Sequence, residues 1–437
     1  MNRITGVALL SIAAAIFAPA YAQTTTTPET TESTAETKAE TSKTEPVNNE
    51  SASEASTNTS TEAAAEQAVE KKPAEKPAEK EVVEKKRELR VASWGGAYGQ
   101  AQIKAIIRPA EKQLSVAIQR LELKDSEPSS QAADVLELRQ GALLRGCKNG
   151  EYLRRAEIQL APSEDGSSPE ADYLAGGLTD CGVASFAWSS LVLFDRSKFK
   201  KAKPNKLADV FDIKRFKGKR AFLRKAENLI EMLALATLKD VAPETVYDEL
   251  AKRESRDKAF AQLQALLPHI IWVDTPSQAL AKLESGEARF AAGFSGRAFR
   301  KTIAGNYAAI WDGHVYDYLS WAISSKAGDK EVAKKFVEIA TSPSRLADQA
   351  KQWPYGPMRK SAAASVGRHA TLDIDLAPFM PTSTLRLPQG VRRDPAFWEE
   401  HGARLNDRLA ALKEGFPLGV RTPPPTRRPP PPPTEQN

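Results

Sequence analysis

Histidine and cysteine are scarce in this chain: its 437 residues hold four of the first and two of the second. His269, His314, His369 and His401 lack the spacing of a metal-ligand pair, and no Cys-x-x-Cys, His-Glu-x-x-His or Walker phosphate loop occurs. Gly293-Phe294-Ser295-Gly296 is one residue short of a nucleophile elbow. Gly95-Gly96-x-x-Gly99 departs from the Gly-x-Gly-x-x-Gly dinucleotide fingerprint. No enzyme, catalytic residue, metal or cofactor is expected, and the histidines read as surface or satisfied packing residues. Long apolar runs are also missing. The longest, Val7 to Ala18, is about half of the ~20 residues that a membrane-spanning helix needs. Residues 23–86 contain no Leu, Ile, Gly or aromatic residue, so they bury too little to offset the entropy of ordering and are expected to be disordered.

What is present sorts by region. Arg3, the apolar run and Ala20-Tyr21-Ala22 read as a cleaved secretory signal over residues 1–22, which points to the periplasm. Residues 23–86 are a Thr/Glu/Lys/Ala/Pro linker of net charge −6, with Lys-Pro-Ala-Glu repeated at Lys72–Glu75 and Lys76–Glu79. Its end-to-end span is roughly 40–50 Å if it behaves as a flexible chain. Residues 417–437 form a tail rich in proline (Pro423–Pro425, Pro429–Pro433) that favours extended polyproline II. The remaining core, 87–416, has 50 basic and 41 acidic residues with both signs interspersed. Without a basic stripe interleaved with aromatics, nucleic acid is not an expected partner. Its length exceeds what one hydrophobic core organises, which predicts two lobes. Cys147 and Cys181 either pair or remain buried thiols, and an oxidising compartment favours the disulfide.

Within the core, strand and helix patterns alternate. Leu89 to Trp94 reads as a strand and Gly95 to Gly99 as a turn. Ile103, Ile106, Ile107, Ala110 and Leu114 lie on one helical face, and strands are expected from Val116 and Asp134. Asn228–Leu238 is apolar nearly all round, as in a helix packed on both sides. Asp257–Leu267 is amphipathic, His269–Val273 reads as a strand, and Thr275-Pro276 supplies an N-cap and first-turn proline. Arg289–Phe294 is the next strand. The expected class is α/β with parallel-rich sheets, whose ligands bind off the carboxyl ends of the strands. Trp94 to Gly99 falls at such an end.

Eight segments occur in a familiar order: Leu89–Tyr98, Leu144–Cys147, Thr179–Val183, Trp188–Leu193, Phe211–Arg220, Gly293–Arg297, and Tyr355–Pro357 with Asp394–Trp398 near the end. Together they resemble the extracellular solute-binding proteins of ABC transporters, in particular the spermidine/putrescine-binding group, across essentially all of 87–416. The resemblance implies a type II-like periplasmic-binding-protein fold whose two lobes close on a small solute. The implied partner is an ABC permease in the inner membrane, and the implied state is a monomer. It also implies discontinuous lobes, 87–190 with 319–360 and 191–318 with 361–416, the chain crossing near Ser190–Phe194 and returning near Asp317–Ile323.

A polyamine-like amine is the leading ligand, since aromatic walls pack methylenes and carboxylates neutralise ammonium groups. The candidate ligand-binding residues are Trp94, Tyr98, Glu227, Phe294, Tyr316 and Asp317. Trp94 and Tyr98 either face the crevice or pack at the sheet edge. Glu227 either meets an amine or faces a helix dipole, and Asp317 meets the amine or solvent. Phe294 and Ser295 stand where the group commonly has Trp and Asn, and Leu319 where polyamine receptors place a carboxylate. A zwitterion or a phosphonate is therefore an alternative ligand. The second functional class is an envelope-associated interaction protein that works through its tails.

Overall fold

The computed structural model describes residues 87–123 and 133–414. The expected signal, linker and proline tail lie outside them.

Ten strands form one mixed sheet: β1 (Glu88–Trp94), β2 (Ala117–Leu123), β3 (Val135–Arg139), β4 (Val183–Asp195), β5 (Lys219–Leu223), β6 (Ile270–Val273), β7 (Ala288–Phe294), β8 (Tyr307–Ile323), β9 (Gly356–Pro357) and β10 (Val391–Arg392). The order is β2-β1-β3-β8-β4-β7-β5-β6, with β9 on β4 and β10 on β8. Each expected strand is present. The strand–helix–strand unit that opens the core is parallel, Leu89 facing Ile118. Its connecting helical run, Gly96–Leu114, contains a π-helical stretch at Ile103–Ile107 that the apolar periodicity did not signal.

The two long strands organise the rest. β4 has 13 residues and β8 has 17, and they run antiparallel along their length. β3 pairs with β8 only over Leu319–Ile323, whereas β7 pairs with β4 only over Ser190–Phe194. Two sets of parallel strands therefore attach at opposite ends of one crossing pair. Between them the register slips from Ser190↔Val315 to Val192↔Ile310, so Trp311 to His314 bulges out of the ladder. Gly313 takes the positive φ (66°) that this bulge requires.

The central strands of each half are buried on both faces, which is why β4 reads as a nearly continuous apolar run, whereas the outer strand β2 keeps polar residues. Leu89, Val91, Ile106, Trp321 and Phe336 pack on one face of the first set, and Leu136, Leu138 and Tyr152 on the other. In the second set Phe216, Phe290 and Leu233 pack on one face against the helix Pro395–Lys413, while Leu191, Ala221 and Leu280 pack on the other. The Phe211–Arg220 segment has a structural role. Arg220 is buried and donates to the carbonyls of Val210 (2.7 Å) and Phe216 (2.6 Å) and to that of Gly218. Burial lowers its pKa to about 10. Cys147 and Cys181 form a disulfide that joins the end of the helix Gln140–Lys148 to the approach of β4.

Candidate ligand-binding cleft

The carboxyl ends of β1, β2, β3 and β7 converge on one cavity of about 620 Å³. Trp94, Gly95 and the first turn of the helix that begins at Gly96, where a loop turn was expected, close its floor on one side. Phe294 and the start of the helix Ser295–Ile303 face them, and Trp188 and Leu319 come from the crossing strands. A volume of this size suits a small solute. Among the described residues no cluster of three or more His, Cys, Asp or Glu could hold a metal. No helix there is long and apolar enough to cross a membrane.

The wall is aromatic and braced from behind. Trp188 and Phe294 meet edge to face at 4.8 Å, and Tyr98 lies 5.2 Å from Tyr355. Trp353 packs directly over the Cα of Gly296, where a Cβ would come within 2.4 Å of its ring. Tyr98 donates its hydroxyl to the buried Glu137 at 2.6 Å, and Ser185 Oγ (2.7 Å) and Gln102 Nε2 (3.1 Å) donate to the same carboxylate. Burial raises the pKa of Glu137, and these three donors oppose the rise. Tyr98 is thereby locked in one orientation.

Among the described residues the charge of the cavity is unbalanced toward cations: Arg139, Arg297 and Arg300 line it, against one carboxylate, Glu122. Arg139 lies 4.8 Å over the Trp94 ring and 5.4 Å over that of Trp188. Arg297 donates to Ser277 Oγ, and Arg300 follows one turn later on the same helix face. Glu122 reaches across Gly95, whose missing Cβ leaves it room, and sits 3.6 Å from Arg120. The indole Nε1 atoms of Trp94, Trp188 and Trp353 are buried and make no hydrogen bond to the described residues.

Of the residues expected at the site, Trp94, Tyr98 and Phe294 line this cavity, whereas Glu227, Tyr316 and Asp317 do not. Asp317 is 5% exposed and pairs with Arg393 at 3.6 Å. Burial raises its pKa, and the Arg393 guanidinium opposes that rise. Glu227 and the buried Glu231 also act electrostatically on Arg393. Asn228 Oδ1 accepts from Arg393 as well, and the guanidinium stands 5.7 Å from the Trp188 ring. The acids thus face an internal arginine that backs the aromatic wall. Tyr316 is buried beside Tyr318 and His314. Sequence reading missed Glu122, Arg139, Trp188, Arg297, Arg300, Trp353 and Tyr355. Glu122 and Arg139 end strands as Trp94 does, so the same carboxyl-end rule reaches them. Trp353 carries no local signal.

Comparison with known proteins gives consistent matches. Residues 107–372 match the family described as bacterial extracellular solute-binding protein. A gamma-aminobutyric acid (GABA)-binding protein of Pseudomonas aeruginosa is 30% identical over 336 residues, which cover 75% of this chain and 91% of that relative. Two solved structures superpose over 75% of this chain and 99% of their own. One is the PBP MotA of A. tumefaciens B6 in complex with glucopine (TM-score 0.62, 21% identity). The other is an ABC transporter substrate-binding protein from Bradyrhizobium japonicum (TM-score 0.64, 24% identity).

Proposed function

The chain belongs to the bacterial extracellular solute-binding proteins and has the two-lobed α/β fold of periplasmic binding proteins, and on that premise we propose that its cleft captures a carboxylate-bearing, amino acid-like solute. It is the substrate-binding component of an ABC transporter for small solutes, not an enzyme. The observation that carries the choice of ligand is the cavity charge: three guanidiniums against Glu122. A polyamine would bring two or more ammonium groups to that surface, where like charges repel. A carboxylate instead finds planar, multidentate donors in the arginines. Glu122 supplies the counter-charge for one ammonium, and the aromatic wall of Trp94, Tyr98 and Phe294 packs the methylenes between. The GABA-binding relative fits this pattern of one acid and one amine.

Glu227 and Asp317 act at one remove in this reading, holding the Arg393 guanidinium behind Trp188 instead of touching solute, and the Tyr316 carbonyl accepts the Arg393 backbone N–H. The first lobe comprises 87–190 and 319–360, supported by the attachment of β3 to β8 at Leu319–Ile323. The second comprises 191–318 and resumes near Val391. Ala362, Val366, Leu376 and Met380 pack with Tyr98 and Leu346 of the first lobe and with Phe299 of the second, which supports a junction role for 361–380. Export to the periplasm through the N-terminal signal, delivery to an inner-membrane permease and a monomeric state complete the proposal.

A ligand screen by thermal shift tests it. At ligand a hundredfold above Kd, binding adds about 2.7 kcal/mol, which raises the melting temperature by several degrees. GABA or other amino acids should produce this shift. Stabilisation by putrescine or spermidine with none by any carboxylate would sink the reading.

A further inference from the structure

Resting on that reading, we infer that the cognate solute carries two separate acidic groups and is a net anion, larger in charge than a simple zwitterion. A zwitterion with one carboxylate satisfies one guanidinium and places its ammonium on Glu122. Arg139 feels the buried Asp317 electrostatically, so at least one of Arg297 and Arg300 then remains beside the ligand with no acid to meet among the described residues. The cations also stand apart in the fold. Arg139 ends β3, on one side of the β8–β4 pair, and Arg297 and Arg300 lie on the helix that follows β7, on the other.

Their local geometry favours acceptors over other uses. The guanidinium of Arg139 lies against the rings of both Trp94 and Trp188, which hold it at the wall of the cleft. The side chain of Arg300 has no hydrogen bond or ion pair among the described residues, and the side chain of Arg297 is held there only by the Ser277 hydroxyl. Glu122, the single acid of the lining among the described residues, already has Arg120 at 3.6 Å. A cavity so rich in donors, with cations at two ends, matches a solute with an acidic group at each end: a dicarboxylic amino acid or an amino acid conjugate bearing a second acid. The roughly 620 Å³ available exceeds what GABA alone fills.

Matched ligand pairs that differ by one carboxylate test this on the full chain. Calorimetric titration would compare GABA with glutamate, and β-alanine with aspartate, at one pH and salt concentration. A hydrogen bond between charged groups contributes enough that the diacid of each pair should bind at least tenfold more tightly. The variant Arg300→Gln, at a rim position without a described partner, should shrink that ratio toward one. Should the variant fail to fold, the wild-type ratios decide alone. Monoacids that bind as tightly as their diacids, or a ratio that Arg300→Gln leaves intact, would overturn the second acidic group while the carboxylate-binding function stands. Absence of binding by every amino acid tested would remove the premise and the inference with it.

Discussion

At the scale of single residues, buried ionisable groups cluster where the two halves meet. His314 is fully buried in the β8 bulge. Its Nδ1 lies 2.8 Å from Ser189 Oγ and its Nε2 lies 3.0 Å from the Arg386 carbonyl. A carbonyl only accepts, so Nε2 carries the proton and donates, and Nδ1 accepts from Ser189. Burial holds the ring neutral and lowers its pKa to about 4. The unfolded ring titrates near the ordinary histidine value. Its contribution to stability is therefore complete above that value and is lost as pH falls toward 4, by about 3 kcal/mol in all. Glu137, Glu231 and Asp317 are shifted upward, so they gain stability on protonation and act in the opposite direction. The difference between wild type and His314→Gln isolates the histidine. Chemical denaturation from pH 7 to pH 4 should show wild type losing more stability than the variant; parallel profiles would refute the assignment. Its isolated position in the sequence gave no hint of this. Trp94 and Tyr98 were legible because a strand end followed by glycines marks a crevice by local pattern alone. The fate of Asp317 was not, because its partner Arg393 is brought beside it only when β10 lies along β8.

At the scale of elements, alternation and apolar periodicity were enough to place the strands and the long helices, since both are local properties. The pairing of β3 with β8 and of β7 with β4 is non-local, and so the three arginines could not be assembled from spacing. One contact between elements is critical to the wall. The helix Ser295–Ile303 approaches the Trp353 indole so closely that Gly296 has no space for a methyl group. Gly296→Ala should push the Trp353 ring away, at a cost of about 1–3 kcal/mol for overpacking. Because Trp353 also lines the cleft, solute affinity should fall about tenfold in the same variant. Denaturation midpoints and calorimetric titration read the two effects. Affinity that stays at the wild-type value while stability drops would detach Trp353 from the binding wall.

At the scale of the whole molecule, the charge of the core and that of the cleft have the same sign. Residues 87–416 hold 50 basic against 41 acidic side chains, and among the described residues the cavity gathers three of the basic ones, Arg139, Arg297 and Arg300, around one glutamate. An anion approaching the protein therefore meets attraction first from the core and then from the cleft, where low-dielectric walls concentrate the field. At 0.01 M salt the screening length is about 30 Å, long enough for the full core to act; at 0.15 M it is about 8 Å, and only the cleft arginines remain effective. The association rate of an anionic solute should accordingly fall several-fold between these conditions. The dissociation rate, governed by the short contacts within the cleft, should change less. Trp94, Trp188 and Trp353 lie in the wall, so intrinsic fluorescence in a stopped-flow instrument reports the binding step. A rate that does not respond to salt would show that the excess of basic residues faces away from the path of the solute and serves solubility alone. A rate that rises with salt would mean that the approaching solute is a cation, and would count against both the carboxylate and the diacid.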